Sequence, residues 1–407
     1  MGESSGFTDV DIRAENSQEV GRYPVSIETT AGDASDTLLL DPADESFQND
    51  LAAIESGKTR EDFFLKFGER LFTALMPDPV AATFRAALGR ARGESKRLRV
   101  RLRLRPPELS ALPWEYLYDP QQDLFLAISS NTVLSRYVVN APAFAEPTAV
   151  TPPLRLLVAF ASPSELPPLD IEKEREWVTK ATQRAADAKR LELHFVDHLT
   201  APALRSALRD VRPHIFHFVG HGEFDEGHGY LVFEDDYQDA QRIRDRTLRE
   251  FFEDAPDTKL VVLNACNGAT SAAGQAISGL APFLVQRGLP AVVAMRYPVP
   301  DRAALVFARE FYEALTQETP TGIDVAAAAG RRAIYQDFSP DRRDWGVPNV
   351  YLRAEDGTIF APPKAAEAAV TEKPAGKQEG GVNFSGIGGN ISIGGDLVGR
   401  DKITKNK

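Results

Sequence analysis

Two apolar stretches decide the fold: His214-Ile-Phe-His-Phe-Val-Gly-His-Gly222 and Lys259-Leu-Val-Val-Leu-Asn-Ala-Cys-Asn-Gly268. Each contains a run of branched and aromatic residues that ends at a glycine, a pattern that predicts a buried strand followed by a turn. Each predicted strand delivers one reactive side chain at its carboxyl end, His221 and Cys266. Active sites of open parallel sheets form at this edge. A thiol placed beside an imidazole is a nucleophile beside its base.

Both strands belong to a longer alternation of predicted strands and helices between residues 154 and 352. This alternation predicts an α/β fold, with a mostly parallel sheet and helices on both faces. We predict strands at 154–160, 191–196, 214–219, 230–234, 259–265, 290–295 and 348–352. We predict helices at 170–188, 201–209, 246–253, 272–287, 301–316 and 322–336.

The preceding part of the chain contains three predicted helices, at 45–57, 60–76 and 80–91. The stretch Arg97-Leu-Arg-Val-Arg-Leu-Arg-Leu-Arg105 alternates strictly between basic and apolar residues, which predicts a strand. An arginine ladder could bind phosphate. In an acidic chain we favour the solvated face of an edge or antiparallel strand.

Composition limits the possible classes of function. The chain has 407 residues, which favours two to three domains, and a net charge of −12, which argues against general nucleic-acid binding. One cysteine excludes an intramolecular disulfide and a multi-cysteine zinc site, and it fits a reducing cytoplasm. We see no signal peptide at the N-terminus and no apolar run of roughly 18 residues, so we expect a cytoplasmic protein without membrane contact. We expect neither a metal nor a cofactor.

Four motifs follow one another along the chain: His217-Phe-Val-Gly-His-Gly222, Leu263-Asn-Ala-Cys-Asn-Gly-Ala269, Ala294-Met-Arg-Tyr-Pro-Val299 and Asp344-Trp-Gly-Val-Pro-Asn-Val-Tyr-Leu352. Their order resembles the CHAT peptidases, the caspase-like and separase-like domains of bacterial signalling and defence proteins. The resemblance covers roughly residues 97–353. His221 also precedes Cys266 by 45 residues, close to the roughly 50 residues of caspases.

The resemblance implies a cysteine endopeptidase in which Cys266 is the nucleophile and His221 handles the proton. It also implies an oxyanion hole made by the backbone N–H groups of Gly222 and Cys266. Arg296 and Tyr297 would line the specificity pocket, where a guanidinium could bind an acidic substrate side chain. The group that orients His221 is left open; in caspase-like enzymes a backbone carbonyl often does this. The partner would be a protein substrate.

The resemblance also gives a domain organisation. It implies a caspase-like fold preceded by a degenerate caspase-like N-terminal half without a dyad of its own. The Gly-rich tail resembles repeats on bacterial conflict proteins and would bind an upstream sensor or adaptor, or else it is unstructured. The predicted parts are a flexible N-terminus at 1–20, the N-terminal half at 21–140, a linker at 141–153, the peptidase domain at 154–361, a disordered linker at 362–380 and the Gly-rich tail at 381–407.

Two other hypotheses compete with a peptidase. The same fold could be a non-catalytic scaffold for protein interactions. A nucleotide-binding α/β domain is disfavoured, because no glycine-rich phosphate loop follows a strand.

Three further features receive structural interpretations. We interpret His217 as a packed strand residue that supports the site, and His228 as a loop residue. We interpret the acidic stretch at 234–239 as a solvated turn rather than a calcium site.

Overall fold

The structure is a computed structural model that describes residues 6–138, 147–226, 228–264, 271–317 and 321–361, without the side chains of 271–278. The strands are β1 (Phe7–Ala14), β2 (Arg22–Thr29), β3 (Gly32–Leu39), β4 (Arg97–Leu104), β5 (Tyr118–Asp119), β6 (Leu124–Phe125), β7 (Thr132–Tyr137), β8 (Thr148–Ala149), β9 (Leu154–Phe160), β10 (Leu191–Val196), β11 (Ile215–Val219), β12 (His221–Asp225), β13 (His228–Glu234), β14 (Ala240–Arg244), β15 (Leu260–Asn264), β16 (Ala291–Met295), β17 (Pro348–Leu352) and β18 (Phe360–Ala361).

The helices connect these strands and pack on the sheet. They are α1 (Glu45–Ser56), α2 (Phe63–Leu75), α3 (Asp78–Gly93), α4 (Pro107–Ser110), α5 (Ile171–Asp187), α6 (Ala201–Val211), α7 (Asp245–Glu253), α8 (Ser271–Gln286), α9 (Asp301–Leu315) and α10 (Ile323–Asp337). Two short 3₁₀ helices lie at Trp114–Tyr116 and Arg343–Gly346.

Among the described residues, eleven strands form one sheet in the order β10-β9-β11-β15-β16-β17-β7-β4-β1-β2-β3. Strands β10, β9, β11, β15 and β16 are parallel, and β17 runs antiparallel to β16. Strands β17, β7, β4 and β1 are parallel to one another. The sheet therefore contains two parallel groups that run in opposite directions, and their carboxyl ends lie at opposite edges.

Helices cover both faces of this sheet, as the sequence predicts. Successive side chains of a strand point to opposite faces. On β11, the Phe216 ring packs 5.5 Å from the Phe252 ring of α7, centroid to centroid. The next residue, His217, instead forms a hydrogen bond of 3.0 Å with the Tyr312 hydroxyl of α9. The predicted mostly parallel α/β architecture is thus confirmed.

The prediction of a flexible N-terminus at residues 1–20 is wrong for the strand that begins at Phe7. Strand β1 lies between β4 and β2, and its Val10, Ile12 and Ala14 side chains are fully buried. The alternation of apolar and polar residues along 7–14 outweighs the polar composition of the segment, because it offers one face to the core.

The predicted solvated face of the arginine strand is also wrong. Strand β4 is internal to the sheet, and Arg99 and Arg101 are only 5% and 7% exposed. Arg101 donates two hydrogen bonds to the Asp11 carboxylate, of 3.1 and 2.6 Å. Arg99 donates one of 2.6 Å to Asp324. These arginines can be buried because neighbouring elements supply carboxylates, as buried charges require.

The N-terminal strands and the predicted peptidase domain share the sheet. Strand β7 pairs with β17 in parallel. On α10, the fully buried Arg331 donates to the carbonyl of Leu134 on β7 at 3.1 Å and to that of Pro348 on β17 at 2.7 Å. The domain boundaries at 140 and 154 remain a prediction. Of the helices that the structure describes, none has both the length and the apolar run that crossing a membrane requires.

Candidate functional site

His221 lies at the carboxyl edge of the first parallel group, immediately beyond β11. Strand β11 ends at Val219, and the Gly220 N–H donates to the carbonyl of Asn264, the last residue of β15, at 3.1 Å. A Cβ on Gly220 would lie 2.7 Å from the Phe218 ring and 3.0 Å from the Ala161 oxygen. Only glycine fits there, and the close packing fixes the backbone that presents His221.

The structure continues from His221 into a small antiparallel sheet that the sequence did not predict in full. Strand β12 begins at His221 and pairs with β13, which pairs with β14. Gly222 lies on β12 opposite Leu231. His228, predicted as a loop residue, begins β13 and lies 3.9 Å from the Asp245 carboxylate.

The His221 ring is held by a backbone carbonyl. Its Nε2 atom lies 2.9 Å from the oxygen of Pro167. A carbonyl can only accept, so Nε2 carries the proton and Nδ1 keeps a free lone pair. This carbonyl is the orienting group that sequence reasoning left open.

The protonation state of His221 follows from its environment. The residue is 4% exposed, and burial lowers its pKa below the usual 6.5. The hydrogen bond to Pro167 and the Glu223 carboxylate act in the opposite direction and offset only part of this effect. The ring is therefore neutral near pH 7 and able to accept a proton at Nδ1.

The loop that carries Pro167 is braced by a buried carboxylate. Glu234, the last residue of β13, is fully buried and accepts a hydrogen bond of 2.7 Å from the Ser162 N–H. Its other oxygen lies 2.9 Å from Nδ1 of His198. The Ser162 hydroxyl in turn accepts from the Leu169 N–H at 2.8 Å, so both ends of the loop are tied.

A second set of contacts joins this loop to the turn after β13. The Ser164 hydroxyl donates to the Asp239 carboxylate at 2.9 Å, and the Ala240 N–H donates to the Glu165 carboxylate at 3.0 Å. The interpretation of 234–239 as a solvated turn therefore holds for exposed residues such as Asp236 but is wrong for Glu234. An acidic side chain that ends an apolar strand is the signal that could have identified it.

Cys266 lies outside the described residues, and so does the Gly-rich tail at 381–407. The last described residue before the cysteine is Asn264, which pairs with Val219 in the parallel register of β11 and β15. His221 and Cys266 each follow these paired residues by two positions in the sequence. The dyad and the oxyanion hole at Gly222 and Cys266 remain predictions.

His217 is a packed residue beneath the site, as predicted. It is 6% exposed, and burial lowers its pKa to about 4, so it is neutral near pH 7. Its hydrogen-bond partner is the buried Tyr312 hydroxyl. Among the described residues, no group of three or more His, Cys, Asp or Glu side chains could hold a metal ion.

Arg296 and Tyr297 follow β16 and pack toward the N-terminal part of the chain. The Arg296 guanidinium donates to the carbonyl of Ala111. The backbone N–H of Arg296 donates to the carbonyl of Val347 at 3.1 Å. Tyr297 is 7% exposed, and the Arg343 guanidinium lies 5.5 Å from its ring centroid. Their role in substrate binding stays a prediction.

Comparison with known proteins gives a family match and several structural likenesses. The family model of the CHAT domain matches residues 65–362. No curated protein matches the chain in sequence.

Three solved structures illustrate the likenesses. Separase of Saccharomyces cerevisiae, in complex with securin, is 13% identical over 85% of this chain and 30% of its own, with a TM-score of 0.46. RgpB of Porphyromonas gingivalis, as a complex of pro- and mature domains, is 10% identical over 78% of each chain, with a TM-score of 0.39. The Drosophila initiator caspase Dronc is 12% identical over 55% of this chain and 97% of its own, with a TM-score of 0.32. The chain thus spans about a third of the separase chain, and the family assignment rests on residues 65–362 alone.

Proposed function

Because the chain belongs to the CHAT domain family, we propose that it is a cysteine endopeptidase that cleaves a protein partner with Cys266 and His221. The observation that carries this proposal is the geometry of His221. The ring stands at the carboxyl edge of β11 with Nε2 bound to the Pro167 carbonyl, and none of the described residues forms a hydrogen bond with Nδ1. A general base needs this combination of fixed orientation and an open lone pair.

In the proposed reaction, the Cys266 thiol gives its proton to Nδ1 of His221, and the thiolate sulfur attacks the carbonyl carbon of the scissile peptide bond. His221 then donates the proton to the leaving amine, and the C–N bond breaks. The product is a thioester on Cys266. Water, deprotonated by His221, attacks the thioester carbon and releases the carboxylate and the free thiol.

Other groups would stabilise the negative charge of the transition state and bind the substrate. The N–H groups of Gly222 and Cys266 would stabilise the oxyanion that forms on the attacked carbonyl. Arg296 and Tyr297 would contact the substrate near the scissile bond. We place the activity in a regulated cytoplasmic pathway of bacterial defence, signalling or cell death, with residues 381–407 as the segment that binds an upstream sensor or adaptor.

The test is cleavage of a peptide library and of whole-cell lysate by the wild-type protein, Cys266→Ala and His221→Phe. We expect cleavage by the wild type alone, and covalent labelling of Cys266 by thiol-reactive peptide probes. Thermal melting of the variants controls for folding. If the wild type neither cleaves nor is labelled, the alternative of a non-catalytic scaffold replaces the proposal.

A further inference from the structure

A narrow cavity lies beneath the carboxyl ends of the strands that lead to the proposed dyad. Its walls are β11, β15 and β16 of the sheet and the facing helices α5 and α9. Val219, Asn264 and Met295, the last residues of the three strands, line it. Val219 and Asn264 each precede a member of the proposed dyad by two residues in the sequence. The cavity is therefore adjacent to the edge where the substrate backbone would lie.

Most of the described lining of this cavity is apolar. Trp177 and Val178 come from α5, and Leu305 and Phe311 come from α9. The free volume is about 40 Å³. A single water needs about 10–15 Å³ on this scale, so the space holds roughly three non-hydrogen atoms. Such a space fits the end of an unbranched side chain better than an aromatic ring.

Glu174 is the charged member of the described lining. His217 and Tyr312, also in the wall, are buried and hydrogen-bonded to each other at 3.0 Å. Within the part of the chain that the structure describes, no hydrogen bond or ion pair is found for the Glu174 carboxylate. The nearby Lys173 ammonium is exposed and is instead bonded to Asp301 at 3.0 Å. The carboxylate is thus available to a cation that enters the cavity.

The surroundings of Glu174 make a cationic partner favourable. Its pKa is raised to about 7, first by burial and then by the Asp301 and Asp170 carboxylates, against the opposing effect of Lys173. A desolvated carboxylate near two like charges gains more from an incoming cation than a solvated one does.

We propose that this cavity receives the side chain of the substrate residue before the scissile bond, and that Glu174 selects lysine or arginine there. The inference rests on the proposed endopeptidase function and names the substrate class of that site. Long basic side chains combine an apolar stem, which matches the cavity walls, with a cationic end, which matches the carboxylate. The acidic preference expected for Arg296 is the opposite specificity, and that guanidinium is already bonded to the Ala111 carbonyl.

The test uses the full chain and a set of peptides that differ only at the residue before the scissile bond: lysine, arginine, norleucine, aspartate or glutamate. Norleucine keeps an unbranched apolar stem without the charge. The variants are Glu174→Gln, which removes the charge at nearly constant shape, and Glu172→Gln as a matched control on the exposed side of the same helical turn. Peptidyl probes with the same five residues measure labelling of Cys266 in parallel.

We expect the wild type to prefer lysine and arginine, and Glu174→Gln to lose at least about tenfold in kcat/KM for these peptides. The rate with norleucine in the same variant should be unchanged or higher, which separates lost selectivity from misfolding. Glu172→Gln should match the wild type. Cysteine-dependent cleavage with an acidic or apolar preference, or a basic preference that survives in Glu174→Gln, would overturn this inference but leave the endopeptidase proposal intact. Absence of both cleavage and labelling would overturn both.

Discussion

Replacing Glu234 tests whether the loop that carries Pro167 positions His221. The carboxylate is fully buried, and it accepts from the Ser162 N–H at 2.7 Å and lies 2.9 Å from His198 Nδ1. In Glu234→Ala the Ser162 N–H loses its partner, which costs about 1–3 kcal/mol. The pairing with His198 adds less than about 1 kcal/mol, because 56% of that side chain is exposed. We therefore expect the free energy of unfolding to fall by about 1–4 kcal/mol.

The catalytic consequence follows from the same contacts. Without the brace, the loop can move and take the Pro167 carbonyl away from His221 Nε2, which frees the ring to rotate. Misplacement of a reacting group by about 1 Å can cost on the order of 100-fold in rate. We expect kcat to fall by about 10- to 100-fold with KM nearly unchanged. Glu234→Gln should retain most activity, because its amide oxygen can still accept from Ser162.

Steady-state kinetics on a cleaved peptide and urea unfolding measure the two effects separately. Asp236→Asn serves as the control, since that side chain is exposed in the same acidic turn. A Glu234→Ala protein that is destabilised but keeps its kcat would refute the link between the loop and His221. A Glu234→Ala protein with unchanged stability would refute the stabilising role of the Glu234 contacts with Ser162 and His198.

Two further predictions concern stability alone. Burial lowers the pKa of His217 to about 4, against 6.5 for a free histidine, so the unfolded chain binds more protons between these pH values. The free energy of unfolding should therefore fall by up to about 3 kcal/mol as the pH drops from 6.5 to 4, and urea titrations of His217→Gln should show a shallower dependence on pH. Asp324→Ala leaves the buried Arg99 guanidinium without its 2.6 Å partner and should cost about 3–5 kcal/mol. Asp9→Ala, whose side chain is 46% exposed, should cost less than about 1 kcal/mol in the same assay, and equal losses would contradict this explanation.

The sequence predicts the first parallel group of the sheet, β10 to β16, well because its strands are continuous apolar runs. The predicted strand 214–219 and the observed β11 at Ile215–Val219 differ by one residue. Strands buried on both faces have this composition, and glycine marks where they end. His221 could be located by the same reasoning, because it directly follows such a strand.

The arginine strand shows why an alternating pattern does not determine whether the polar residues of a strand are exposed or buried. The same alternation fits a solvated face and a face paired with carboxylates. The distinguishing signal is in another segment: Thr8-Asp-Val-Asp-Ile12 of β1 alternates acidic with apolar residues and lies beside β4 in register. Only the pairing of the two strands shows that Arg101 has a buried partner in Asp11, and pairing between distant segments does not follow from either pattern alone.

The Pro167 carbonyl could not be predicted for a related reason. It contacts His221 across 54 positions of sequence, and a backbone carbonyl carries no signature in its side chain. What the sequence does contain is a set of short polar residues in the loop, such as Ser162 and Ser164, which accept or donate hydrogen bonds that tie the loop down. Such residues are common in loops of every kind, so their role is clear only from the fold.

The position of β7 explains why the N-terminal half is joined to the sheet. Strand β17 runs antiparallel to β16, so it ends the parallel group that carries His221 and would otherwise be an exposed edge. Exposed edges pair with other chains, and proteins cover them. Here β7 covers β17, and the buried Arg331 of α10 bonds to carbonyls of both strands. Without the Leu134 carbonyl, the buried Arg331 guanidinium would have fewer hydrogen-bond partners. The strands from β9 to β17 therefore depend on the N-terminal strands for a covered edge and for part of their core.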